Sequence, residues 1–293
     1  MFPAIIETNL TVTSRTGATI TGSATPHTKG SWSELIASTG GDAEGIWVSV
    51  TGVGASATDT SILLDIGIGA AAAEAVLIPD INAGYANAIA DGNGQCRFFP
   101  IAVASGSRLS ARLQGVVASE TATVAIWLAR SVQHLDGASA MEAVGEDAAN
   151  SRGTSVPSGD GAWGAWTSIG TISADRNVFA IAIDGLGDTV FSAGDQDTLV
   201  QLGYGSSAPG SGGTAIEAIF RSIFTTAEAI NGPFPAIPVY ADLASGETLW
   251  ARVAGADTTA RGIVVHAMEC PAAVGGGSSG VMTGRGHRVG SAH

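Results

Sequence analysis

The chain of 293 residues carries 26 acidic and 13 basic side chains, a formal net charge of −13, and Lys29 is its only lysine. So acidic a balance excludes a surface built to neutralise phosphates, and a nucleic-acid partner with it. Charged residues make up only 13% of the chain while Gly numbers 41, a composition that suits short strands and frequent turns and suits long helices badly.

In chain order, residues 1–28 are rich in Thr and Ser and alternate in the β manner at Leu10-Thr11-Val12-Thr13 and Ala18-Thr19-Ile20-Thr21. They read as an N-terminal arm without a counterpart later in the chain, expected to pair as an edge strand on a neighbour. No basic region followed by an apolar run opens the sequence, so no signal peptide is expected. No apolar run approaches the ~20 residues of a membrane span, so no membrane partner is expected either. Residues 29–130 read as a first β-sandwich domain, with strands at Ile46–Val50, Leu109–Leu113 and Val124–Leu128. Residues 131–161 read as a linker, within which Gly137–Ala149 predicts a short helix around Met141-Glu142-Ala143-Val144. Residues 162–270 read as a second sandwich, with strands at Val178–Ile183, Leu249–Val253 and Ile263–Met268. Residues 271–293, with Gly275-Gly276-Gly277-Ser278-Ser279-Gly280, read as a flexible C-terminal tail.

The two halves repeat one another. Trp47-Val48-Ser49-Val50-Thr51-Gly52 lies beside Ala180-Ile181-Ala182-Ile183-Asp184-Gly185, and Asp65-Ile66-Gly67-Ile68-Gly69 beside Gln201-Leu202-Gly203-Tyr204-Gly205. Leu109-Ser110-Ala111-Arg112-Leu113 lies beside Leu249-Trp250-Ala251-Arg252-Val253. The offset grows from 133 (Gly52 to Gly185) through 136 (Gly67 to Gly203) to 140 (Gly106 to Gly246). A period this long makes each copy a domain with its own core. The fold class expected is all-β: two tandem antiparallel β-sandwich domains, jelly-roll-like, from an internal duplication. An immunoglobulin-type sandwich is the competing topology, although its Cys–Trp–Cys pattern is missing.

The motifs that carry chemistry each meet a plainer reading. Gly67-Ile68-Gly69 before an alanine run resembles the opening of a nucleotide-binding unit. Its counterpart Gly203-Tyr204-Gly205 runs into Pro209 and further glycines, which break a helix, so the motif is expected to shape a strand end. Asp184, Asp188, Asp195 and Asp197 lie among glycines in the manner of calcium loops, without the EF-hand spacing, and read as turn residues. Cys96 and Cys270 fall at non-equivalent points, and their spacing implies no framework. His27, His134, His266, His287 and His293 form no metal-ligand or triad spacing, and His266 stands at the position of Trp127 and is expected to pack. No catalytic, cofactor-binding or metal-binding residue is assigned. Trp32 and Trp166 begin the two copies, and Arg112 and Arg252 are equivalent. With cations so few, a repeated Arg is expected to pair with a carboxylate or a carbonyl. Trp163, Trp166, Arg112 and Arg252 are therefore the candidate interface or glycan contacts.

The most specific segments are Phe98-Phe99-Pro100-Ile101 through Ser105-Gly106 to Arg108-Leu109-Ser110-Ala111-Arg112-Leu113-Gln114, and Phe234-Pro235 through Ser245-Gly246 to Leu249-Trp250-Ala251-Arg252-Val253. Over about 20 residues per copy this strand pair resembles one in virion proteins of tailed bacteriophages. The second copy departs from it at Glu247-Thr248 and Ala254. The resemblance implies a structural component of a virion, assembled in the host cytoplasm, whose partners are other virion proteins and copies of itself, and it assigns no catalytic residue. A module binding host surface glycan is the alternative, with Trp163, Trp166, Asp184 and Asp188 as its first residues.

Overall fold

The structure, a computed structural model, describes residues 4–11, 17–51, 61–83, 95–130, 138–185, 196–224 and 239–269. Among these residues every regular element is a strand. The first half holds β1 (Ala4–Thr8), β2 (Ala18–Thr21), β3 (Ser33–Ile36), β4 (Gly45–Thr51), β5 (Ile62–Ile68), β6 (Ala75–Asn82), β7 (Gln95–Phe99), β8 (Leu109–Gly115) and β9 (Thr121–Arg130). The second holds β10 (Met141–Val144), β11 (Glu146–Asp147), β12 (Arg152–Val156), β13 (Ser158–Asp160), β14 (Thr167–Thr171), β15 (Arg176–Gly185), β16 (Gln196–Gly205), β17 (Thr214–Phe224), β18 (Val239–Leu243), β19 (Thr248–Gly255) and β20 (Arg261–Glu269).

The sheet orders identify the architecture. In the first half one sheet runs β1-β9-β4-β7, with β2 also on β9, and the other runs β3-β8-β5-β6. In the second half one sheet runs β11-β12-β20-β15-β18, with β10 also on β20, and the other runs β13-β19-β16-β17, with β14 also on β19. Each half thus has the strand order of a jelly roll, its chain from β3 and from β14 onward crossing between the two facing sheets except at the β5–β6 and β16–β17 hairpins. Among the described strands the pairing is antiparallel, apart from the short β13 lying parallel to β19. Alternation fills the space between sheets: β19 buries every second side chain, the period-2 signature of a sheet with one core face. One core gathers Ile46, Val48, Ile66, Leu113, Val124 and Ile126, and the other Val200, Leu202, Leu249, Val253, Ile263 and Val265.

The registers of the two halves match at several pairs, although β15 carries a bulge between Val178 and Ala180 that β4 lacks. Asp65 lies opposite Arg112 and Gln201 opposite Arg252; Trp47 lies opposite Trp127 and Ala180 opposite His266. A bulge interrupts β3 between Glu34 and Ile36, and β14 between Ser168 and Gly170. Gly106 and Gly246 turn at φ 80° and 87°, and each turn is tied by an aspartate, Asp42 accepting from the Ser105 N–H and Asp175 from the Ser245 N–H.

Three expectations are corrected. The arm, expected to pair as an edge strand on a neighbour, instead supplies β1 and β2, which pair with β9 inside their own sheet. The helix expected around Met141–Val144 is β10, paired with β20 from Met141–Met268 to Val144–Val265. The ladder of β20 outweighs a weak local helix propensity. The stretch 138–161 is accordingly no linker, because it supplies β10 to β13. Cys270, Asp188 and residues 271–293 lie outside the described residues.

The halves are joined by contact as well as by chain. Ile263, Val265 and Ala267 of β20 face their own core, whereas Val264, His266 and Met268 point to the outer face of the sheet. That outer face is covered by the first half, and β20 is buried on both sides. Met141 and Met268 join the first core while Val144 joins the second. His266 is fully buried. Its Nε2 donates to the Pro79 carbonyl at 2.9 Å, and its ring meets Phe99 edge-on, centroids 5.4 Å apart.

Candidate functional site

The repeated Arg organises the most distinctive side-chain cluster of each half. It projects from the return strand (β8 or β19), opposite position 65 or 201 of the neighbouring strand, beneath the loop that enters β3 or β14. A glycine seats that loop: the Gly30 N–H donates to the Leu113 carbonyl at 2.8 Å, and the Gly164 N–H to the Val253 carbonyl at 2.8 Å. A Cβ at Gly30 would sit 2.7 Å from the Thr21 oxygen, and at Gly164 2.5 Å from the Pro157 oxygen, so the close approach requires glycine.

In the second half the Arg252 guanidinium lies 4.7 Å from the Trp163 centroid and 4.7 Å from the Trp166 centroid. Its Nε and Nη2 donate to Gln201 Oε1 at 2.9 and 2.6 Å. Gln201 Nε2 in turn donates to the Ile216 carbonyl at 3.1 Å, which holds the bulge of β17. In the first half Arg112 lies 4.4 Å from the Trp32 centroid and donates from Nε to Asp65 Oδ2 at 2.8 Å. Asp65 Oδ1 accepts from Lys29 Nζ at 2.7 Å and from the Asp80 N–H at 2.9 Å, which holds the bulge of β6. Lys29 also pairs with Asp80.

The glycine register places Lys29 where Trp163 stands. The pair Lys29 and Asp65 is thus exchanged for Trp163 and Gln201, and each set satisfies its Arg. A buried carboxylate takes two cations, and a neutral amide takes one Arg and leaves the second position to an aromatic face. Glu146 approaches the first cluster from the second half.

Of the four residues singled out from sequence, the structure brings Trp163, Trp166 and Arg252 together and places Arg112 in the equivalent cluster with Trp32. Lys29, Asp65 and Gln201 were not singled out. The signal for them was the pairing of Asp65 with Arg112 and Gln201 with Arg252 across neighbouring strands, which becomes visible only with the register. Each tryptophan gives one face to an Arg, and all three remain partly exposed. A cleft of about 490 Å³ adjoins the first cluster, lined by Thr21, Ser23, Lys29, Ser31 and Ser33.

Chemically these clusters stack and orient. Asp65 is buried and held by Lys29, Arg112 and the Asp80 N–H. Gly67-Ile68-Gly69 closes β5, and Gly69 turns at φ 121° into a hairpin to β6. Among the described residues no group of three or more metal-ligating side chains comes together, and no helix is long and apolar enough to cross a membrane. The Cys96 thiol is pushed up by burial.

No family model matches the chain, and no curated protein matches it. Among solved structures it is similar to a chain from the work described as the triple jelly roll fold and turret assembly in an archaeal virus, with 14% identity and a TM-score of 0.22. The match covers 86% of this chain, which spans 58% of that chain. At that TM-score the jelly-roll assignment stands on the strand orders alone.

Proposed function

We propose that the protein is a non-enzymatic structural component of a virion, of the tailed-phage type, which decorates the capsid or forms part of a neck or tail accessory assembly. Its partners are then other virion proteins and copies of itself. The observation that carries the reading is a pair of complete jelly rolls in one chain, whose repeated side-chain cluster is closed on itself as an Arg–Trp stack. Jelly rolls serve capsid proteins and lectins alike, and fold alone does not choose between them. The hairpin resemblance favours the virion. We further propose that the halves descend from one duplicated jelly roll, because register, bulges and turn aspartates recur together.

Mass spectrometry of purified particles tests the reading. The chain is expected in fixed stoichiometry with the capsid protein, and its absence from particles that contain every other structural protein overturns the proposal. A glycan-binding role is favoured by one observation, the partial exposure of Trp163 and Trp166 on a glycine-rich loop. A glycan array without any signal that depends on Trp163 removes it.

A further inference from the structure

The contact between the halves is heterologous: the β6 side of the first jelly roll sits on the outer face of the β10-β20-β15 sheet of the second. Because both halves share one fold, each of these surfaces has an equivalent on the other half. One is the outer face of β1-β9-β4, the other the β17 edge.

Both equivalents reproduce the chemistry of the contact already made. Register places Trp127 where His266 stands and Ile5 where Met141 stands. Like His266, Trp127 combines an apolar body with a ring N–H donor. Ile5 is 49% exposed. Trp47 and Phe98 lie beside Trp127 on this face, their rings 5.2 Å apart and partly exposed. At the other end of the chain, β17 is the outer strand of its sheet. It bulges opposite Gln201–Gly203, as β6 bulges opposite Leu64–Ile66 where Pro79 offers its carbonyl to His266. Ile219, at the end of that bulge, is 55% exposed.

We propose that the bulged β17 edge of one copy docks on the outer β1-β9-β4 face of a second copy, so that the contact inside the chain is repeated between chains. The occupant is another copy of this protein, which rests on the structural reading above and specifies its self-contact. A heterologous contact of this kind propagates into a closed ring or an open filament. It is weaker than the contact inside the chain. There Gln114 also donates to the Ala148 carbonyl and to Ser151, whereas Ala254 stands in its place in the second half.

The test uses the full chain in analytical ultracentrifugation across a concentration series, with Ile5→Glu on the face and Ile219→Glu on the edge. Both residues are exposed, so both variants fold, which circular dichroism checks. Wild type is expected to grow beyond two chains as concentration rises, and each variant alone is expected to stay monomeric. Mixed, the two variants are expected to form a two-chain species and nothing larger, because one keeps its edge and the other its face. A wild type that is monomeric at every concentration overturns the inference. So does a symmetric dimer indifferent to both variants, or a mixture that does not pair. Particle association is read separately: a chain that pairs in this way yet is absent from virions sinks the virion reading and leaves this one standing.

Discussion

At the scale of single residues, two buried titratable groups set opposite dependences on pH. Burial, with the Arg97 charge adding to it, lowers His266 from 6.5 to about 4. Its Nδ1 is buried and meets no partner, so protonation would place a second N–H with no acceptor beside a like charge. Because its folded value is depressed, the contribution of His266 is complete above pH 6.5 and is lost as pH falls towards 4, about 3 kcal/mol over that window. Burial raises Glu120, only 4% exposed, from 4.5 to about 7. Its folded value is raised, so its contribution is complete below pH 4.5 and is lost as pH rises through 7, again about 3 kcal/mol. Between pH 4.5 and 6.5 the two slopes oppose. Thermal melts across that range are expected to show His266→Gln losing stability as pH rises and Glu120→Gln gaining it, with the wild type flatter than either.

The Arg–Trp stacks offer a second residue-scale measurement. Arg252→Ala removes two ring contacts and a forked donor to Gln201, an expected loss of ~2 kcal/mol in chemical denaturation. Arg252→Lys is expected to recover little of it, because an ammonium lacks the planar fork. Lys29→Trp or Asp65→Gln alone leaves the first cluster mismatched. Together they install the arrangement of the second half, and a coupling on the order of 1–2 kcal/mol is expected from the double-mutant cycle.

At the scale of elements, the strand cores and turns were legible and the assignment of strands to partners was not. The β19 stretch alternates in sequence as it does in burial, because a side-chain period of two is a local property. The Gly106 and Gly246 turns were equally plain. Residues 141–144 were misread because four residues cannot distinguish a short helix from a strand; the β20 ladder decides them. The glycines separate two geometric reasons for lacking a side chain. Nothing lies within 4 Å of a Cβ built at Gly246, whose φ is positive, so Gly246→Ala is expected to cost only about 1 kcal/mol. A Cβ at Gly164 meets the Pro157 carbonyl oxygen, and Gly164→Ala is expected to cost about 3 kcal/mol. Urea denaturation of the two variants compares them directly.

At the scale of the whole molecule, side chains of the second half that pack into the first core couple the two jelly rolls. Met141 and Met268 belong to the second half by sequence and to the first core by packing. Calorimetry of the full chain is therefore expected to show one transition. Met141→Ala with Met268→Ala, each costing ~2–4 kcal/mol, is expected to split it into two. Two transitions in the wild type would contradict the coupling.

The sequence by itself determined an all-β chain and placed Arg112 and Arg252 on alike strands, since alternation and turn residues are written locally. Only the tertiary structure decided that Ala4–Thr8 and Ala18–Thr21 complete the first sheet, that Lys29 stands where Trp163 does, and that His266 is sealed between the halves. Those facts depend on which strands lie side by side and which face is covered. Pairing and coverage join residues more than a hundred positions apart, a relation that no local pattern encodes.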